Sequence, residues 1–146
     1  MSDGISFDFS EVTKFAADLG NVSDNAGPFI NSAIQGTSKK IKDSARKKVS
    51  KRKHFKRAAA AIDYDITTVF GQIIMSDIGY SKEKPLSKKG KPLGNLGNLV
   101  EFGAPNGPNG PLAPGNELLT SLNEFDDDFV TGLSKAVEDA ERKAGL

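Results

Sequence analysis

The spacing of apolar residues predicts three helices, at residues 10–19, 25–49 and 116–143. In each stretch apolar side chains recur every three or four positions, which places them on one face of a helix. The second stretch also carries lysines and arginines off that face, so we expect a helix docked by one side with a basic outer surface. Asn116 is the expected N-cap of the last helix, and Glu117 lies in its first turn.

Residues 62–78 follow a different pattern, in which apolar and polar residues alternate as in an antiparallel hairpin. The apolar positions are expected to face the core, while Asp63 and Asp65 face solvent. An exposed loop is predicted over 80–95, because this segment combines Ser, Gly and Pro with five lysines. The short apolar run at 96–102 is predicted as a third, short strand.

The order of these elements indicates an α+β fold, because helices and antiparallel strands are segregated rather than alternating. We expect a small antiparallel sheet, made of the hairpin and the short strand. It would be packed by the N-terminal helices and a long C-terminal helix. A length of 146 residues fits a single domain, 1–146.

Charge is segregated along the chain, although the net charge is only +1. Residues 39–57 contain eleven Lys and Arg against one Asp, and residues 115–146 contain eight Asp and Glu against three Lys and Arg. Blocks of opposite sign are expected to meet, within a subunit or between subunits. The residues that we expect in such contacts are Lys47, Lys48, Lys51, Arg52, Lys53, Lys56, Arg57, Asp126, Asp127 and Asp128.

The basic stretch 39–57 has two interpretations. Its cations could contact nucleic-acid phosphates, with His54 and Phe55 interleaved for stacking. They could instead form a solvated helix face and a loop that contacts protein. The second interpretation is favoured, because the acidic blocks of the same chain supply a protein partner and no DNA is required.

The residue inventory argues against an enzyme and against a metal or cofactor site. The chain has no Cys and one His, His54, which excludes thiolate metal sites and His-based triads. Asp63, Asp65 and Asp77 are interpreted as the polar side of the hairpin. Glu101 lies between two apolar residues, so we expect it to be exposed by alternation or paired with a Lys or Arg. A structural role, in which Glu101 is a salt-bridge or hydrogen-bond anchor, is favoured over catalysis. No apolar run approaches the length of about 20 residues that a membrane span needs.

The segment Val100-Glu101-Phe102-Gly103 resembles the signature of the neck, or tail-completion, proteins of long-tailed bacteriophages, which are minor tail components of lambdoid type. Members of this family run from N-terminal helices through a basic segment and a hairpin to an aliphatic-Glu-Phe-Gly signature. A Pro-containing loop and a C-terminal helix follow. The chain shows the same order past residue 25. It departs from the family pattern before the Glu, at Leu96-Gly97-Asn98, and at Ala104.

The resemblance implies a non-enzymatic structural role in the virion, for a protein made in the host cytoplasm. Copies would form a ring, commonly a hexamer, that joins the head completion proteins to the tail tube. DNA would pass through its channel without sequence-specific binding, and other neck and tail proteins would be partners. Two alternatives stay open: the tail terminator of the same neck, and a small nucleic-acid-binding protein that uses residues 39–57.

Overall fold

A computed structural model of the chain describes residues 2–8, 26–69, 73–107 and 110–143. Within these ranges the fold is α+β, as predicted. The strands are β1 (Ser2–Asp8), β2 (Ile62–Val69) and β3 (Ile73–Ser81), and the α-helices are α1 (Ala26–Ser50), α2 (Gly97–Phe102), α3 (Glu117–Glu124) and α4 (Asp126–Lys143). Two 3₁₀ helices, Lys56–Ala61 and Leu93–Leu96, precede β2 and α2. The helix predicted over 10–19 lies outside the described residues.

The sheet has three antiparallel strands in the order β1-β3-β2. The predicted hairpin is confirmed: β2 pairs with β3, and Tyr64 lies opposite Ile78. The predicted alternation also holds, because Asp63 and Asp65 are exposed while Ile62 is fully buried. The third strand is β1, which pairs with the other edge of β3.

Helix α1 covers the sheet with the apolar stripe that the sequence predicts. The residues of this stripe that are at most 4% exposed are Ile30, Ile34, Ile41, Ala45 and Val49. Full burial of one such aliphatic side chain stabilises a fold by about 1.5–3 kcal/mol, so this face accounts for the docking of α1. A hydrogen bond of 2.6 Å between the hydroxyls of Ser38 and Ser76 also joins α1 to β3.

The C-terminal helices run antiparallel along another side of α1. Near the N-terminal half of α1, Ile30 and Ile34 pack with Ala136 and Ala140 of α4. Towards its C-terminal end, α1 contributes to a larger cluster that also contains Ile62, Ile78, Tyr80, Val100 and Leu118. This larger cluster therefore joins α1, the sheet, α2 and α3 at one place.

The short strand predicted at 96–102 is wrong, because this segment is a 3₁₀ turn followed by helix α2. Its buried residues are Gly97, Val100 and Glu101, at the i, i+3, i+4 spacing of a helix face. Two of these three residues are not hydrophobic, so a count of apolar positions does not show the helical period.

Two predicted boundaries also change. The single helix predicted over 116–143 is interrupted at Phe125, whose carbonyl oxygen accepts a hydrogen bond from the Phe129 amide at 2.9 Å. Helix α4 begins at the next residue, Asp126. The loop predicted over 80–95 is shorter, because Tyr80 and Ser81 belong to β3 and Leu93 begins a 3₁₀ helix.

Candidate functional site

The side chain of Glu101 caps a helix that lies later in the chain. It is 2% exposed, and its two carboxylate oxygens accept hydrogen bonds from the backbone amides of Leu118 and Leu119 at 2.9 and 3.1 Å. These amides are in the first turn of α3, where a helix has unpaired N–H groups and a positive dipole end. Asn116 precedes the helix with a left-handed φ of 55° and makes no side-chain cap, so Glu101 takes that role.

Exposure and pairing with a Lys or Arg are therefore wrong for Glu101, whereas the expected hydrogen-bond anchor is present. The residue is not exposed by alternation, since it lies on the buried face of α2. Its partners are amides rather than a Lys or Arg. The main chain reinforces this connection, because the amides of Gly115 and Asn116 donate to the carbonyl oxygens of Val100 and Glu101. The end of α2 and the start of α3 are thus fixed to each other.

An ion pair lies beside this cap. Arg52, which follows α1, pairs with Glu117 in the first turn of α3, and their side chains are 21% and 11% exposed. Oε2 of Glu117 and the hydroxyl of Tyr80 are buried without a hydrogen-bond partner. Burial raises the pKa of the Tyr80 phenol, and the nearby carboxylates of Glu101 and Glu117 raise it further. The junction is therefore a buried polar cluster between α1, β3, α2 and α3.

Three glycines allow the backbone to approach this junction closely. A Cβ at Gly97 would lie 2.1 Å from the Cγ of Tyr80, so α2 rests directly on the tyrosine ring. A Cβ at Gly115 would meet Glu117 and Arg52. Gly103 has a φ of 71°, and its Cβ would lie 2.4 Å from the Leu112 carbonyl oxygen.

The four signature residues have different surroundings. Val100 is fully buried, Glu101 caps α3, and Gly103 makes the turn that ends α2. Phe102, in contrast, is 62% exposed, although it lies in a helix that its neighbours hold firmly. Among the described residues it is the most exposed large hydrophobic side chain. Nothing in the fold of a single described chain accounts for that exposure.

Among the described residues, the basic and acidic blocks of one chain meet at three places. Lys40 of α1 pairs with Asp128 of α4, Lys48 of α1 pairs with Glu124 of α3, each at 2.5 Å, and Arg52 pairs with Glu117. The Lys48 ammonium lowers the pKa of the Glu124 carboxyl, chiefly by donating a hydrogen bond to it. Lys48, Arg52 and Asp128 thus have partners in their own chain.

The other expected contact residues stay on the surface. Among the described residues no ion pair involves the exposed cations Lys47, Lys51, Lys53, Lys56 and Arg57, or the exposed acids Asp126 and Asp127. The cations follow or end α1, whereas the acids begin α4. The described surface therefore carries a basic region that follows α1 and an acidic region at the start of α4.

The described residues contain no cluster of three or more His, Asp or Glu that could hold a metal ion. Asp63 lies near Lys42 at 3.9 Å, and Asp65 is exposed on the same strand. His54 is exposed and its ring contacts Phe55 edge to face. In the part of the chain that the structure describes, no helix is both long and apolar enough to cross a membrane.

Comparison of the chain with protein-family models, with curated proteins and with solved structures gives no match.

Proposed function

We propose that this chain is a structural protein that acts by assembly with copies of itself. Within that class, we propose a component of the head–tail neck of a long-tailed bacteriophage. Its copies form a ring, which is a hexamer in the simplest case, around a channel that DNA crosses. The resemblance at Val100-Glu101-Phe102-Gly103 supports the phage assignment, and the structure supplies the physical argument for assembly.

The observation that carries the proposal is the exposure of Phe102. Its neighbours are fixed, since Glu101 binds two amides of α3 and Gly103 closes against Leu112. A large aromatic ring on such a rigid support loses little conformational entropy on binding, and aromatic residues are enriched at the energetic centres of interfaces. Leu119, whose amide binds Glu101, adds a second exposed apolar side chain, at 45% exposure.

The distribution of unpaired charge also supports assembly. A surface that is basic in one region and acidic in another can match a second copy head to tail, and such heterologous contacts close into a ring when the rotation permits. The intrachain ion pairs use only part of each block. The remaining charges are available for a neighbour.

The test is the mass of the purified protein, measured by light scattering after size exclusion, together with negative-stain images. We expect a ring with a central hole for the unmodified chain. We expect Phe102→Ala to reduce the ring population at least tenfold at equal concentration, because one interface anchor of about 1.4 kcal/mol or more is lost. Leu86→Ala is the matched control, since Leu86 is 54% exposed and lies in the lysine-rich loop rather than in α2.

A monomeric unmodified chain across the accessible concentration range would refute the proposal. A gel shift with duplex DNA over a salt series addresses the nucleic-acid alternative. Affinity that is tight and falls steeply with salt, in the absence of any ring, would favour binding of phosphates by the exposed cations.

A further inference from the structure

A groove of about 440 Å³ lies beside the basic region. Its wall is formed on one side by His54 and Phe55 and on the other by the loop that follows α2. The apolar residues of that wall are Leu99, Ala104, Pro111 and Leu112. This volume falls within the range of clefts that bind ligands.

Exposed cations adjoin the groove residues His54 and Phe55 in the chain. Lys53 and Lys56 flank His54 and Phe55 in the chain, and both lysines are exposed. The exposed cations Lys51 and Arg57 continue this positive charge in the chain, two positions before Lys53 and directly after Lys56. Leu99 links the groove to Phe102, because the two residues are three positions apart in α2 and lie on the same side of this helix. A protein segment that complements the groove therefore presents an apolar side chain to its wall and carboxylates to the neighbouring lysines.

The outer face of α4 has this chemistry. Val130 is 57% exposed, and Asp126 and Asp127 lie four and three positions before it, so all three can be presented together. Both aspartates are exposed and have no ion pair among the described residues. Asp128, by contrast, points to Lys40 of its own chain.

Within a single chain this face of α4 does not occupy the groove, because Asp126, Asp127 and Val130 are all exposed. Asp128 is held beside Lys40, which lies ten residues before the end of α1. Two complementary surfaces that are separated on one subunit make a heterologous contact between copies.

We propose that the occupant of this groove is the Asp126–Asp127–Val130 face of α4 from a second copy of this chain. This inference rests on the proposed assembly function and assigns its interface. A single strand of nucleic acid fits less well, because stacking needs open aromatic faces. Here Phe55 is half-buried and meets His54 at an interplanar angle of 61°, and the remaining wall is aliphatic or glycine.

The test is charge reversal with rescue. One variant carries Lys53→Glu and Lys56→Glu, and a second carries Asp126→Lys and Asp127→Lys. Each places like charges across the proposed contact, so we expect the concentration for half-assembly to rise about tenfold or more in each. An equimolar mixture of the two variants pairs every reversed surface with an opposite one, so we expect assembly to return as alternating rings.

A matched control carries Lys88→Glu and Lys89→Glu, two exposed lysines of the 82–92 loop, and is expected to assemble like the unmodified chain. Circular dichroism checks that each variant folds, and the mixture distinguishes a broken interface from a broken fold. The interface assignment would be overturned if both variants form rings as readily as the unmodified chain, or if their mixture stays monomeric while the unmodified chain forms rings. Either result leaves the assembly function intact.

Fluorescence anisotropy of a labelled single-stranded oligonucleotide measures whether the groove binds nucleic acid. If Lys53→Glu with Lys56→Glu abolishes oligonucleotide binding and leaves ring formation unchanged, the groove is a nucleic-acid site and the proposed occupant is wrong. If the unmodified chain forms no ring, the assembly function fails first, and the interface assignment fails with it.

Discussion

Replacement of Glu101 by Ala removes the cap of α3 without touching α3 itself. The carboxylate accepts from two amides in different environments. Leu118 is 2% exposed, so its amide finds no water when the carboxylate is gone. Leu119 is 45% exposed, so water can replace that partner at little cost. The loss therefore comes mainly from the Leu118 bond.

The expected magnitude follows from these environments. A hydrogen bond to a charged group contributes about 1.5–3 kcal/mol, and loss of an N-cap costs about 0.5–2 kcal/mol. We expect Glu101→Ala to lower the free energy of unfolding by about 3 kcal/mol, and Glu101→Gln, which keeps one acceptor oxygen, by about 1 kcal/mol. With a urea slope near 2 kcal/mol per molar, the Ala variant unfolds at a midpoint roughly 1.5 M lower.

Urea unfolding followed by circular dichroism measures this change. Glu138→Ala is the matched control, because Glu138 is exposed on α4 and its replacement should change stability by less than about 0.5 kcal/mol. Hydrogen exchange adds a local readout, in which the amide of Leu118 loses protection in the Ala variant. An unfolding free energy for Glu101→Ala that equals that of Glu138→Ala would refute the capping role.

Three further predictions concern other parts of the fold. Gly36→Ala should stabilise the protein by about 0.5–1 kcal/mol, since no atom lies within 4 Å of the added Cβ in α1. Gly97→Ala should destabilise it by about 1–3 kcal/mol, because the added Cβ would clash with the Tyr80 ring. The urea midpoints of the two variants measure both changes. Tyr80→Phe should leave stability at pH 7 unchanged or higher, because the buried hydroxyl has no partner. The folded-state pKa of Tyr80 lies above the ordinary 10.0, so the unfolded chain loses the proton first and stability falls as the pH rises past that value. The Phe variant should lack this decline, and equal losses in both proteins at about pH 10.5 would contradict the assignment. The pKa of Glu124 lies below the ordinary 4.5, so its pair with Lys48 stabilises the fold above that pH and is lost as the pH falls through the folded value. Lys48→Met should bring the Glu124 pKa back up, as followed by the carboxyl carbon shift in NMR, and an unchanged titration would show that the pair does not persist in solution.

The elements that repeat one period over many residues could be predicted from the sequence. Helix α1 and the β2–β3 hairpin are of this kind, because their apolar positions follow the helical or the alternating period. Helix α2 could not be predicted, since its buried face uses Gly97 and Glu101 instead of hydrophobic residues. Strand β1 is not among the predicted elements, although Ile5 and Phe7 alternate with polar residues.

The interruption of the last helix has a different cause. The apolar stripe continues across Phe125, so periodicity gives no sign of a break. Three consecutive aspartates are poor in a helix interior but favourable in a first turn, next to the positive end of the dipole. A new helix therefore begins at Asp126.

For the junction, the sequence indicated an anchoring role for Glu101 but not its partner. A carboxylate in an apolar segment is commonly expected to pair with a Lys or Arg. Unpaired backbone amides at the start of a helix are equally good partners, but any residue type can supply them, so the sequence does not mark them. The neighbouring pair of Arg52 and Glu117 joins segments 65 residues apart. Segregated charge predicts that such blocks meet, but only the fold determines which members do.

The position of β1 in the sheet has a consequence for the order of folding. Ser2 lies opposite Ser81, so β1 pairs with a strand that is synthesised long after it, whereas β2 and β3 are joined by a short connection. Closure of a long chain segment costs more entropy than closure of a hairpin, and hairpins form within about 1–10 μs. We expect the hairpin and α1 to associate first and β1 to join last. The edge of β3 that faces β1 therefore stays unpaired until the end of folding. Strand edges in that condition pair with other chains, and dilute conditions should therefore favour correct refolding.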